Sequence, residues 1–301
     1  MAGSSKIIKN RIKSVKNTKK ITKAMEMVSA AKMRRAVEKA LGTRSYAELA
    51  LELLVNISQD KQITHPLLTL RKTKKILAVV VSSNKGLCGS FNANIAKAIN
   101  SFHAEHAKHD ISYITIGKKA EHAIRKNNGK IVASFIEFPD NINIESLTGL
   151  RKIVIDDFIE KNYDRVVLIY TNFISSINYE VVTRNLLPVS QENIKSMIRD
   201  LGPGGINENE MRIKNMSLYL FEPDEESILN SVLPKLTEVQ IYQAILESTA
   251  SEHSARMLAM RNASDSATEM IDELTLSFNQ ARQAGITQEI AEIAAGAAAL
   301  K

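Results

Sequence analysis

The residues best suited to chemistry gather in one short stretch, "SSNKGLCGSFN" (Ser82 to Asn92), which holds the only cysteine of the chain, Cys88. A thiolate at a strand-to-helix turn can act as a nucleophile if a histidine deprotonates it and an acid orients that histidine. Nothing in the sequence places either partner beside it. Phosphate-binding loops occur at such turns too, but this one is neither a G-x-x-x-x-G-K-[ST] loop nor a G-x-G-x-x-G fingerprint. Glycines that permit a tight turn around a small buried thiol are the favoured reading.

Three histidines, His103, His106 and His109, recur every third residue on a predicted helix. One face bearing three imidazoles could ligate zinc, but the order is no known ligand pattern and no cysteine or carboxylate set completes it. A solvated face is the better reading, and no metal is expected. His253 falls on a helical stripe and reads as a tolerated polar core residue.

Charge supplies the third candidate chemistry. From Met1 to Ser45 there are thirteen Lys or Arg against Glu26 and Glu38, a net +11, whereas the whole chain carries +7 and the remainder therefore −4. Such a segment suits an acidic partner or nucleic-acid phosphates. No aromatic residue lies between Met1 and Ser45 to stack on single-stranded bases. A duplex reader needs only Arg, Lys and Asn in the groove. The charges, however, run around the helix, which weakens the nucleic-acid reading.

The elements that position these groups follow from periodicity. From Ser5 to Ser58 there is no proline and one glycine, Gly42, in a composition rich in strong helix formers. One long helix is predicted, ended by His65-Pro66. Ile8, Ile12 and Val15 set one apolar seam; Ile21, Met25 and Val28 set another, out of phase by about a turn. In the C-terminal third a stripe starts at Leu229 and steps by threes and fours through Leu236, Gln243, Ala250, Met257, Ser264, Ile271, Phe278 and Gly285. It lasts well beyond the three or four heptads that mark a coiled coil. Pro223 stands where the helix could begin, and Pro234 is expected to kink or restart it. A helix this long cannot bury its stripe alone, so antiparallel pairing with the N-terminal helix is predicted.

Between the two helices the period changes. "KILAVVVS" (Lys75 to Ser82), "ISYITIG" (Ile111 to Gly117), "IVASFIE" (Ile131 to Glu137) and "DRVVLIYT" (Asp164 to Thr171) read as strands, separated by helices near 92–107, 118–127 and 144–161. Alternation of this kind predicts a parallel sheet faced by helices. Ile177 to Val189 and Met216 to Glu222 could add edge strands, and "DLGPGGINENE", with Gly202 to Gly205, reads as a loop. The expected fold class is α/β: a long antiparallel coiled coil with an inserted Rossmann-like domain. Expected domains are 1–62 plus 223–301 for the coil and 74–222 for the insert. A single cysteine excludes an internal disulfide, and no apolar run approaches the roughly twenty residues that cross a bilayer. The basic N-terminus lacks the apolar core of a secretory signal.

Three stretches together resemble the gamma subunits of proton-translocating F-type ATP synthases. They are Arg11 to Ala36, Ser82 to Asn92, and Ala250 to Leu300. The last fits the family's I-T-x-E-x-x-[DE]-x-x-x-G-A signature through Ile286, Thr287, Glu289, Glu292, Gly296 and Ala297. The likeness is close at both ends and looser in the centre.

The resemblance implies a non-catalytic rotor. Its paired helices would turn inside a hexamer of three alpha and three beta subunits. Its insert would form a foot beside the epsilon subunit on the membrane ring of c subunits, on the cytoplasmic face of a bacterial inner membrane. It implies no cofactor, no catalytic residue and no nucleic-acid partner. It also assigns contacts with beta to Met25, Arg256, Arg282, Gln283 and Thr287, and a ring-facing foot to Thr43, Arg44, Tyr219, Phe221 and Glu222. The family usually has an acidic residue at the place of Asn84, and often Gly-Leu-Asn where this chain reads Ser90-Phe91-Asn92; these departures bear on the contacts of that loop.

Overall fold

A computed structural model describes residues 2–57, 65–136, 142–189 and 224–299, with side chains for 6–43, 65–136, 142–189, 224 and 227–296. Two compact units emerge: Met1–Ala30 with Arg256–Lys301, and Ala31–Ala255.

Helix α1 (Ala2–Ile57) forms as its composition predicts. In the first unit its least exposed residues are Ile8, Ile12, Val15, Lys19, Thr22, Met25, Glu26 and Ser29. The expected second seam at Ile21, Met25 and Val28 is corrected here, since Ile21 and Val28 are exposed. The heptad spacing continues without a break, but its occupants change from aliphatic to polar. Thr22 turns its hydroxyl back to the Lys19 carbonyl at 3.0 Å, which lets it sit against a neighbouring helix at little cost. The facing stretch of the C-terminal helix keeps the predicted stripe: Met260, Ser264 and Ala267 are buried, and Ile271, Leu274, Phe278, Ala281 and Gly285 half-buried.

In the second unit a five-stranded sheet has the order β3-β2-β1-β4-β5. The strands are β1 (Lys75–Val81), β2 (Asp110–Ile116), β3 (Lys130–Phe135), β4 (Arg165–Phe173) and β5 (Tyr179–Leu187). The first four are parallel, with Ile76 opposite both Ile111 and Arg165, and β5 joins antiparallel as the predicted edge strand. β1 is covered on both faces, which is why it reads as the unbroken run "ILAVVV"; edge strand β3 alternates instead. Alternate β1 residues feed two cores. Ile76, Ala78 and Val80 meet α2 (Phe91–Glu105) and α3 (Lys118–Lys126). Leu77, Val79 and Val81 meet α4 (Thr148–Ile159) and the start of the C-terminal helix α5 (Glu225–Ala299).

Asp164 ties two strand starts together, its Oδ2 accepting the Lys74 and Lys75 amides at 2.8 and 3.0 Å. At the opposite end Gly117 adopts φ +94°, and a Cβ there would stand 2.3 Å from the Ser82 carbonyl oxygen, so only glycine lets β1 and β2 end so close together.

α5 begins after Pro223, with Asp224 Oδ1 accepting the Ser227 amide at 2.8 Å as an N-cap. The helix runs through Pro234, so of the two expected outcomes there, a kink or a restart, the restart is corrected. The second expected edge strand, Met216 to Glu222, and the loop from Gly202 to Gly205 lie outside the described residues.

Candidate functional site

The loop after β1 is built for packing. Cys88 is buried, with Asn92 Nδ2 at 3.0 Å and the Lys85 carbonyl at 3.9 Å from its sulfur. Neither group is a base that could deprotonate the thiol. Ser83 Oγ lies 2.7 Å from the Lys85 carbonyl and 2.8 Å from Asn92 Oδ1, tying the loop to the first turn of α2. Asn84 joins two other elements: its Nδ2 donates to the Ile136 carbonyl at 2.8 Å and its Oδ1 accepts the Lys118 amide at 3.0 Å. An aspartate would keep the second bond and lose the first, which gives this chain's departure from the family pattern a local role.

In open α/β sheets ligands bind beyond the strand ends where the strand order reverses, here between β1 and β4. In this chain α5 occupies that crevice. Ser251 Oγ donates to the Thr171 carbonyl at 3.4 Å, Ser254 Oγ donates to the Ser176 carbonyl at 2.5 Å, and Ala255 packs in one core with Cys88 and Phe91. A place suited to a small ligand therefore grips a helix.

The histidines are held by local contacts, with the His106 and His109 rings 5.8 Å apart and tilted. His103 Nδ1 lies 3.4 Å from the Tyr113 hydroxyl, whose pKa burial raises to about 12, so that oxygen stays protonated. His106 donates from Nδ1 to the Phe102 carbonyl at 3.1 Å and stacks on the Phe102 ring. Among the described residues no group of three or more His, Cys, Asp or Glu side chains could hold a metal. His253 is half-buried on its stripe.

In the first unit, Arg282, Gln283 and Thr287 are exposed on α5, as are Ile286, Glu289, Glu292 and Gly296; Ala297 lies in the helix, its side chain outside the description. Thr287 Oγ1 donates back to the Gln283 carbonyl at 3.0 Å. Met25 is half-buried, and Arg256 is 7% exposed within the chain. The sequence reading missed a second feature of this surface. Leu276, 62% exposed, turns away from the seam on the side of Gln283 and Thr287, and Ile290 and Ile293, at 61 and 73%, lie past Gly285, where every described residue through Gly296 is exposed. For Leu276 the available signal was its phase, opposite a seam already filled by Leu274, Phe278 and Ala281.

In the second unit Thr43 is half-buried and its hydroxyl donates to Gln243 Oε1. Arg44 lies in α1 with its side chain outside the description, and Tyr219, Phe221 and Glu222 lie outside the described residues. Polar groups also hold the inner face of α5. Arg151 pairs with Glu238 at 3.4 Å, and the Ile142 carbonyl accepts from Lys39 Nζ at 2.9 Å and the Tyr242 hydroxyl at 3.1 Å.

Two paired helices with exposed aliphatic and polar faces, and an α/β insert whose ligand crevice is filled by one of them, define a helical stalk protein. The chain belongs to the ATP synthase gamma-chain family: the family model described as ATP synthase matches residues 4–300. It is 42% identical over 301 residues to the ATP synthase gamma chain of Geotalea daltonii, covering 99% of each chain. It is 40% identical over 304 residues to that of Nitrosospira multiformis, covering 100% of each. Among solved structures, the central stalk and c-ring of the Tetrahymena thermophila mitochondrial ATP synthase aligns with TM-score 0.59 and 26% identity, over 81% of this chain and 99% of that one. A chain of the Euglena gracilis mitochondrial enzyme shares the fold at TM-score 0.68 and 21% identity, over 100% of this chain and 95% of that one. As a gamma chain, this protein is the central-stalk subunit of an F-type ATP synthase.

Proposed function

We propose that the chain works as a non-catalytic rotor, turning with the membrane ring of c subunits and driving the beta subunits of a hexamer of three alpha and three beta subunits. The observation that carries this reading is the set of aliphatic side chains that α5 leaves exposed, Leu276, Ile290 and Ile293, on the same stretch as exposed Arg282, Gln283 and Thr287. Aliphatic side chains exposed along a helix suit a sleeve formed by other proteins. Polar groups among them can be engaged at one angle and released at another, and only such differential contacts shift a partner between states. Met25 adds a half-buried contact on α1. The exposed Lys and Arg side chains of α1, with Arg282, suit acidic loops on beta.

In this reading residues 1–62 and 223–301 form the shaft. Residues 74–222 form the foot, and Thr43, Arg44, Tyr219, Phe221 and Glu222 face the ring and the epsilon subunit. The filled crevice beyond β1 and β4 supports a subunit without a reaction of its own. Among the described residues no helix is long and apolar enough to cross a membrane. A peripheral position on the cytoplasmic face of a bacterial inner membrane follows from the partners proposed.

Co-expression with alpha and beta subunits tests the reading. One copy should assemble per hexamer and support ATPase turnover, and Gln283→Ala with Thr287→Ala should lower coupled turnover without lowering assembly. Failure of the chain to co-assemble overturns the proposal.

A further inference from the structure

Near the start of α5 the helix pair carries a polar contact where its seam is least able to set its own register. Thr43 on α1 and Gln243 on α5 both stand at seam positions, and Gln243 is 4% exposed. Gln243 Nε2 donates to Glu247 Oε1 at 2.9 Å. A carboxylate only accepts, so the amide nitrogen must face Glu247 and the amide oxygen Thr43, whose hydroxyl then donates to it. The Thr43 hydroxyl also lies 2.8 Å from the Ala40 carbonyl of its own helix, so its single proton is shared between that carbonyl and the Gln243 amide oxygen. Around this contact α1 offers small buried side chains, with Leu246 of α5 in one core with Ala40. Ala36 and Ala40 follow on α1, and Ala36 shares a small buried cluster with Ala250 and Phe173. Seven residues back along α1, from Thr43 to Ala36, correspond to seven forward along α5, from Gln243 to Ala250, which is an antiparallel register. Methyl groups interdigitate shallowly and tolerate many neighbours, so alanines alone define that register weakly.

We propose that Thr43, Gln243 and Glu247 form a register lock between the two helices, acting as positioning residues that keep the pair from slipping. A slip of one heptad would set the Gln243 amide against alanine, leaving a buried oxygen without its donor. A single polar seam residue that specifies register at some cost in stability is an established device of coiled coils. The geometry stands without the rotor reading. If that reading holds, a slipping pair would also lose torque.

Cysteine cross-linking in the full chain tests the lock, with buried Cys88 kept in every variant. Ala36→Cys with Ala250→Cys reports the observed register, and Ala40→Cys with His253→Cys reports a slipped one. With Thr43 and Gln243 intact only the first pair should cross-link, and absence of that product overturns the register itself. Adding Gln243→Leu should lower the first product and raise the second several-fold, with a lower melting temperature because buried Glu247 loses a donor. Thr43→Val, which removes only the donor, should do the same, and Thr43→Ser should restore the original pattern. If both the Leu and Val variants still cross-link only through Ala36→Cys and Ala250→Cys, the lock does not exist. If the slip occurs while proton pumping per ATP is unaffected in the assembled enzyme, the lock stands and the rotor reading loses support.

Discussion

Asp164 and Gly42 show how single residues set local stability in this chain. Asp164 is partly desolvated, which alone would raise its pKa, but the two amides it accepts from Lys75 and Lys74 outweigh that and hold the carboxyl below its ordinary value. A depressed carboxylate contributes stability that is fully present above its unfolded pKa of about 3.9 and is lost as pH falls through the folded value. Asp164→Asn mimics the protonated group, so the wild type should be more stable at pH 7, with the gap closing in acid. Denaturant titrations of both proteins at pH 7 and pH 3 will check this. Gly42 is helical, and a Cβ there meets nothing within 4 Å. Gly42→Ala should therefore stabilise the chain by about 0.5–1 kcal/mol, through the lower entropy of the unfolded alanine, measurable as a raised melting temperature.

The long helices differ from ordinary surface helices because α5 presents aliphatic residues on two sides. Leu274 is half-buried in the seam and Leu276, two positions on, is 62% exposed. Leu274→Asp should cost about 1–3 kcal/mol, since a carboxylate would be desolvated against α1 without a partner. Leu276→Asp should change stability by no more than about 0.5 kcal/mol, yet lower assembly with alpha and beta subunits. Thermal melts and co-purification separate the two sides. Equal loss of stability in both variants would mean that the outer face is covered within the chain. α1 makes the complementary point, since polar Thr22 and Ser29 keep its seam while Ile21 and Val28 stay outside. Hydropathy alone misassigned this face, because side-chain size against a neighbouring helix decides a seam, and a threonine that bonds its own backbone fits there.

For the molecule as a whole, the α5 tip tests the proposed fit of the rotor in a sleeve formed by other proteins. Ile293 is 73% exposed, and the last eleven residues before Lys301 carry one charge, Glu292. Ile293→Asp or Ala297→Asp should impair coupled turnover more than ending the chain after Glu292, because a charge must be desolvated in an apolar sleeve whereas a missing tip leaves only space. ATP-driven proton pumping by the three assembled variants is the measurement. Truncation as harmful as the charge substitutions would mean that the tip itself carries load.

Sequence by itself determined the helix pair, its antiparallel sense, the four parallel strands and edge strand β5. Periods of 3.5 and 2 and the placement of Pro and Gly are local consequences of backbone geometry. It also marked Gln243 as a polar residue on an apolar stripe. Only the tertiary structure decided what that residue does, because a hydrogen bond to Thr43, two hundred positions away, depends on how the chain returns. The same holds for the crevice beyond β1 and β4. Ser251, Ser254 and Ala255 look like ordinary helix residues until the sheet is formed, and their burial against Thr171, Ser176 and Cys88 turns a site suited to a ligand into a grip on α5.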